Sequence, residues 1–111
     1  MIITNIVHKE NTNVIIKILI DDVVVSSIHL IVNINEISGM IISLHTIKEY
    51  RNRGFATILL NRIIEYCKIN HLQEIFLDDC SDNFNQPNNI YLNCGFVYIE
   101  PGSPEMIMKI N

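Results

Sequence analysis

Tryptophan is absent from this 111-residue chain, and glycine (four), proline (three) and cysteine (three) are scarce. So little glycine and proline excludes a collagen-like or low-complexity chain. Charged residues make up only 18%, with a net charge of −4. An acidic balance lacks the basic face that a broad nucleic-acid footprint needs, so no nucleic-acid partner is expected. The cysteines, Cys67, Cys80 and Cys94, are odd in number and include no close pair of metal-ligand spacing. That excludes a disulfide framework, implies no metal, and fits a reduced intracellular compartment. No long uninterrupted apolar run exists, because Lys17, Asp21 and Asp22 break the candidates well short of a membrane span. The opening "MIITNIVHKENTN" has neither a basic leader region nor a cleavage-site pattern. The expectation is a soluble, cytoplasmic protein with no membrane partner.

Apolar residues are plentiful, at 49%. That is enough for one core, and residues 1–111 are read as a single domain. Isoleucine and asparagine together supply roughly a third of the chain, far above usual composition. Both have AT-rich codons, so a lone Ile or Asn says little. "MIITNIV", "NVIIKILI", "VVVSSIHLIV" and "MIISLHTI" read as strands, with Asp21-Asp22 as a tight turn and "HKENTN" as a loop. Their nearly continuous apolar character suggests strands covered on both faces. The period then changes. Phe55, Ile58, Leu59, Ile63, Tyr66 and Cys67 recur at helical spacing to an end near Asn70. "EIFLDD" is again a strand. Pro87 is placed to start a short helix through "NNIYLNC" that Gly95 ends, and "FVYI" and "EMIMKI" close the chain. The order is β-β-β-β-α-β-α-β-β, an α/β (α+β) fold.

The stretch "YRNRGFATILLNRIIEYC" (50–67) carries the chemistry. A helix that begins after Arg-Gly-Phe-Ala lacks the usual Ser or Asp cap. Its first N–H groups point outward and its dipole favours an anion. Gly54 lets backbone approach a phosphate without a Cβ. Ala56 is small, and Arg51 and Arg53 add positive charge. The uncapped start therefore suits a phosphate as its cap; a plain solvent-facing turn is the alternative.

"RNRGFA" resembles the (Gln/Arg)-x-x-Gly-x-(Gly/Ala) motif of the GNAT superfamily of acetyl-CoA-dependent N-acetyltransferases, and "NIYLNCGF" resembles that superfamily's later segment. Tyr91, Gly95 and Phe96 match its positions. The resemblance implies a mixed, mostly antiparallel sheet with two main helices. It also implies that the backbone of Arg53, Gly54, Phe55 and Ala56 binds the coenzyme A pyrophosphate, flanked by Arg51, Asn52 and Thr57. Leu44, His45 and Thr46 would pair with the pantetheine arm, and a backbone N–H there would polarise the thioester carbonyl. Tyr91 would act as general acid on the leaving thiolate. Acetyl-CoA is the implied cosubstrate and a small-molecule amine (amino sugar, polyamine or amino acid) the implied acceptor. A non-catalytic CoA-binding module, and an enzyme acting on protein lysine or N-terminal amines, stay open as alternatives.

The chain departs from the superfamily at two places. Only "HKENTN" stands where two helices usually wall the acceptor site. A homodimer, with contacts before Glu36 or through the C-terminal strands, is expected to cover the apolar surface this leaves. The positions that often hold a Glu or His base fall on Met40 and Ile42. His45 is the candidate base on the same strand. Simple alternation puts it on the opposite face, and a bulge would reverse that parity. His29 and Glu36 are further candidates. Asp78, Asp79 and Asp82 would hold a cationic amine or form a solvated strand end. An asparagine of the preceding loop falls near Phe84, beside Asn83 and Asn85. Cys80 is read as a bystander.

Overall fold

The computed structural model describes residues 3–80 and 89–110. The β-branched runs form an antiparallel meander of β1 (Ile3–Glu10), β2 (Asn13–Ile20), β3 (Val23–Asn33) and β4 (Ser38–Thr46). β1 does not stop before "HKENTN". It runs to Glu10, which pairs with Asn13, so the loop shrinks to a two-residue turn with Asn11 at φ 54°. Asp21 and Asp22 take φ of 49° and 68°, the double left-handed geometry whose twist suits a hairpin. Short polar side chains tolerate that conformation best.

A parallel strand pair needs a long crossover. Helix α1 (Phe55–Ile69) supplies it, carrying the chain from β4 to β5 (Glu74–Asp78), which runs parallel to β4. Helix α2 (Ile90–Cys94) follows, then β6 (Val97–Tyr98) and β7 (Glu105–Lys109). The seven strands make one mostly antiparallel sheet in the order β1-β2-β3-β4-β5-β7-β6. A short 3₁₀ turn at Lys48–Tyr50, which hydropathy does not signal, leads into the glycine loop. Pro87 and the start of "NNIYLNC" up to Asn88 lie outside the described residues, and α2 begins after Asn89.

The core lies between the sheet and α1, whose buried stripe is Leu59, Leu60, Ile63, Ile64 and Cys67. Ile58 is not part of it, being 43% exposed on the flank. The expectation of strands covered on both faces fails as well. β2 buries Val14, Ile16, Ile18 and Ile20, while the residues between them are only half-buried. α1 packs on β2, β3 and β4 and touches α2. No described helix covers the opposite face, where Ile31 and Met40 are 37% and 44% exposed. Isoleucine fills outward positions here as readily as inward ones, which blurs the alternation.

Candidate active site

The glycine loop has the geometry that an anion cradle requires. Asn52 and Gly54 are both left-handed, at φ 63° and 85°. α1 starts on Gly54 with no side-chain cap, and the first helical hydrogen bond runs from the Ile58 N–H to the Gly54 carbonyl at 3.1 Å. The N–H groups of Phe55, Ala56 and Thr57 precede it and have no carbonyl one turn back to receive them. A Cβ built on Gly54 meets no protein atom within 4 Å, so the space before the helix start is open. Arg51 is drawn back across the loop, its Nε donating to the Thr46 carbonyl at 3.0 Å. Arg53 instead lies over the Tyr50 ring, 4.9 Å from its centroid, where the ring face attracts the cation.

The strand that precedes this loop is opened by a bulge. His29 pairs with Ser43 and Leu30 with Ile41, so Ile42 has no partner in β3. The extra residue reverses the alternation. Ile41 and Leu44 now face the core, and His45 shares the open face with Met40. On its other side β4 pairs with β5 only as far as Ile41↔Leu77. Past that point the two strands part, and the β5-facing backbone of residues 42–46 has no strand partner among the described residues.

The gap becomes a groove through the sheet. A cavity of about 490 Å³ on the helix side is lined by every residue expected to contact the cofactor except Arg53. Tyr50, Cys80, Ile90 and Tyr91 complete its wall. A second cavity, about 640 Å³, opens on the far side and shares Leu44, His45, Cys80 and Tyr91 with the first. His45 and Tyr91 thus stand at the junction. Cys80, read as a bystander, stands there too, because the end of β5 turns it into the gap.

Tyr91 is held by a network that sequence reasoning did not anticipate. Asn89 is fully buried and caps α2, its Oδ1 accepting from the N–H groups of Tyr91 at 2.8 Å and Leu92 at 3.2 Å. Its Nδ2 donates to Asp79 Oδ2 at 2.7 Å, and the Tyr98 hydroxyl donates to the same oxygen at 2.7 Å. Asp79, 2% exposed, is therefore neither a solvated strand end nor an amine contact. It ties β5, α2 and β6 together beneath Tyr91. The Tyr91 ring also packs edge-on against Phe96, with centroids 6.3 Å apart. Burial, then the nearby Asp79 and Cys80, push the Tyr91 hydroxyl up to about 12. The phenol keeps its proton across the physiological range.

The other candidates lie apart from the junction. His29 Nε2 is 2.7 Å from Asn13 Oδ1 and lines neither cavity of the groove. Glu36 lies at the β3–β4 turn, on a neighbouring hollow. Asp78 is exposed and borders the far-side cavity. Asp82, Asn83, Phe84 and Asn85 lie outside the described residues. Burial raises the Cys67 thiol to about 12 and raises Cys94 as well, which fits packing roles. Among the described residues no group of three or more His, Cys, Asp or Glu is placed to hold a metal ion. Among them, too, no helix is long and apolar enough to cross a membrane.

A family model described as acetyltransferase (GNAT) family matches residues 3–96. The fold is similar to an acetyltransferase of the GNAT family from Staphylococcus aureus Mu50, with TM-score 0.75 and 22% identity, covering 90% of this chain and 69% of that one. It is similar to the PaiA N-acetyltransferase of Thermoplasma acidophilum, solved in complex with coenzyme A, with TM-score 0.73 and 18% identity, covering 89% of this chain and 62% of that one. Mutant forms of the spermidine/spermine N-acetyltransferase SpeG from Vibrio cholerae give TM-score 0.73 and 22% identity, covering 90% of this chain and 68% of that one. The chain thus spans 62% to 69% of the length of these structures. No curated protein sequence matches it.

Proposed function

The chain belongs to the acetyltransferase (GNAT) family, and from that premise we propose that it moves an acetyl group from acetyl-CoA to a primary amine of a small molecule. The observation that carries this reading is the groove. It runs from an uncapped helix start, through parted strands, to a protonated tyrosine. Acetyl-CoA, when bound, supplies the acetyl group as a thioester and leaves as the thiol. The open space at Gly54 and the outward N–H groups of Phe55, Ala56 and Thr57 suit its pyrophosphate. Leu44, His45 and Thr46 offer unpaired strand backbone to the pantetheine amides, and one N–H there polarises the thioester carbonyl.

On this reading the amine attacks directly while both substrates are held, so that positioning supplies much of the rate. The new C–N bond forms as the C–S bond breaks. His45, on the acceptor side of the junction, takes the proton lost by the amine, directly or through water. Tyr91, as general acid, passes its hydroxyl proton to the departing sulfur, so that CoA leaves as the thiol, and regains a proton from solvent. Amino sugars, polyamines and amino acids are the proposed acceptors, and the likeness to SpeG supports testing polyamines. Two further readings have an observation behind them. The missing acceptor wall favours a non-catalytic CoA-binding module. The breadth of the open face favours a protein lysine or N-terminal amine. Turnover of acetyl-CoA against a panel of amines and peptides, followed by thiol release, separates them. Release that depends on a small amine supports the enzyme, and tight CoA binding with no release supports the module.

The cytoplasm, with its acetyl-CoA supply, is the proposed compartment. The uncovered sheet face supports a homodimer. Light scattering at micromolar concentration tests this: twice 12.8 kDa is expected, and a mass near 12.8 kDa with activity retained would rule it out.

A further inference from the structure

The uncovered face of the sheet carries an ordered pattern. Ile31, Met40, Phe76, Ile107 and Val97 are successive cross-strand partners on β3, β4, β5, β7 and β6. Residues directly opposite each other share a face, so these five form one apolar stripe across five strands. Ile31, Met40 and Val97 are exposed, and Phe76 and Ile107 are half-buried. A contiguous exposed apolar patch marks an interaction surface.

The groups beside the stripe differ in charge between the two halves of the sheet. One pleat beyond Phe76 and Ile107, Asp78 and Glu105 stand opposite each other on β5 and β7. One pleat beyond Ile31 in the same direction, His29 of β3 stands opposite Ile15 of β2, and Lys17 follows a pleat further. β4 runs between these halves as the fourth of seven strands. A half-turn about an axis along β4 lays β3 on the β5 of a second copy and β2 on its β7. Met40 then meets the partner's Met40, and Ile31 meets the partner's Phe76. At the next pleat Asp78 meets the partner's His29, and Glu105 reaches the partner's Lys17. The face is thus complementary to itself in both apolar surface and charge, as a two-fold interface requires. Two aligned sheets pack in this way about 10 Å apart. Strands spaced about 4.8 Å and about 17–20 Å long give a flat footprint of roughly 500–600 Å² per copy. Side-chain relief raises that toward the about 800 Å² per partner of a stable pair.

We infer that a second copy of this chain packs on the uncovered face, about a two-fold axis along β4, and that each copy walls the acceptor side of the other's groove. The far-side cavity opens on the same face beside Met40, Ser43, His45 and Asp78. The partner's β3 lies over that opening and replaces the wall that this short chain lacks. Only the walling of the groove rests on the acetyltransferase reading.

Charge-swapped variants test the interface by light scattering at micromolar concentration. The parent is expected at twice 12.8 kDa. Asp78→Lys/Glu105→Lys and Lys17→Glu/His29→Glu each set like charges against one another, which should weaken self-association by about 100-fold or more. Each alone should therefore run near 12.8 kDa. An equimolar mixture restores opposite charges and should return to the dimer mass, which a misfolded variant could not do. A monomeric parent, double variants that still dimerise, or a mixture that stays monomeric would overturn the interface. The wall is read with Lys17→Glu/His29→Glu, whose changes line neither cavity of the groove. That variant should bind CoA like the parent but lose at least about tenfold in amine-dependent thiol release, and the mixture should regain part of it. Full release by the monomeric variant would overturn the wall. Absence of release by a parent that dimerises would sink the acetyltransferase reading instead, and the scattering would still decide the interface.

Discussion

Replacing Gly54 by alanine separates the cost of a left-handed backbone from the cost of obstructing a ligand. Gly54 has φ +85° and Gly102, in the turn before β7, has φ +80°, and a Cβ on either meets nothing within 4 Å. An L-residue in that conformation costs roughly 1–2 kcal/mol. The stiffer unfolded chain offsets about 0.4–1 kcal/mol of this. Each variant should therefore lose about 1 kcal/mol, a fall in Tm of roughly 4–8 °C. Gly54→Ala should lose a few tenths more because alanine is a poor helix cap. The variants then diverge. Only Gly54 borders the groove, and its new methyl group would occupy the space before the Phe55 and Ala56 N–H groups. Two hydrogen bonds to a charged pyrophosphate are worth about 1.5–3 kcal/mol each. Losing both weakens CoA by at least roughly 100-fold. Calorimetric titration with CoA, alongside urea denaturation, reads both quantities. If Gly54→Ala and Gly102→Ala lose similar stability and both bind CoA like the parent, the phosphate cradle is elsewhere.

Tyr91→Phe should lower kcat by roughly 10²-fold if the hydroxyl assists the leaving thiolate, with the KM for acetyl-CoA nearly unchanged; an unchanged kcat with chemistry rate-limiting would remove that role. Because the Tyr91 hydroxyl titrates at about 12, the parent's rate should show no alkaline limb from it below about pH 11. Asn89→Ala should cost about 3 kcal/mol in urea denaturation, combining the lost cap with a lost hydrogen bond to buried Asp79; a loss under about 1 kcal/mol would show that the network beneath Tyr91 is unimportant. Cys67 and Tyr91 are both raised to about 12 from ordinary values of 9.0 and 10.0, so the unfolded chain releases their protons first as pH rises. Stability should then fall between about pH 9 and 12. Cys67→Ala should remove the part of that fall that begins near pH 9, which a pH series of melting curves would reveal.

The elements were legible where local chemistry sets them. Asp21-Asp22 announces its hairpin, the 55–69 helix shows its period, and the Arg-x-x-Gly-x-Ala turn shows both its lack of a cap and its family. Three features were not legible, each for a physical reason. The bulge at Ile42, which moves His45 to the open face shared with Met40, depends on how β3 and β4 register, and hydropathy carries no trace of it. The link from Asp79 through Asn89 to Tyr98 joins residues up to nineteen apart in sequence. Asn89 is one of many asparagines, so its buried cap looked like composition. The uncovered sheet face was masked by isoleucine, which occupies Ile15 and Ile31 on the outside as it occupies Ile16 and Ile28 on the inside.

The placement of CoA across the helix start and the parted strand is best tested by following backbone amide resonances of ¹⁵N-labelled protein during a CoA titration. The largest shifts should fall on residues 54–57 and 44–46, with smaller ones at Cys80 and Tyr91. Largest shifts on residues of the β1–β2 turn and the far end of α1, with residues 54–57 unmoved, would contradict the site.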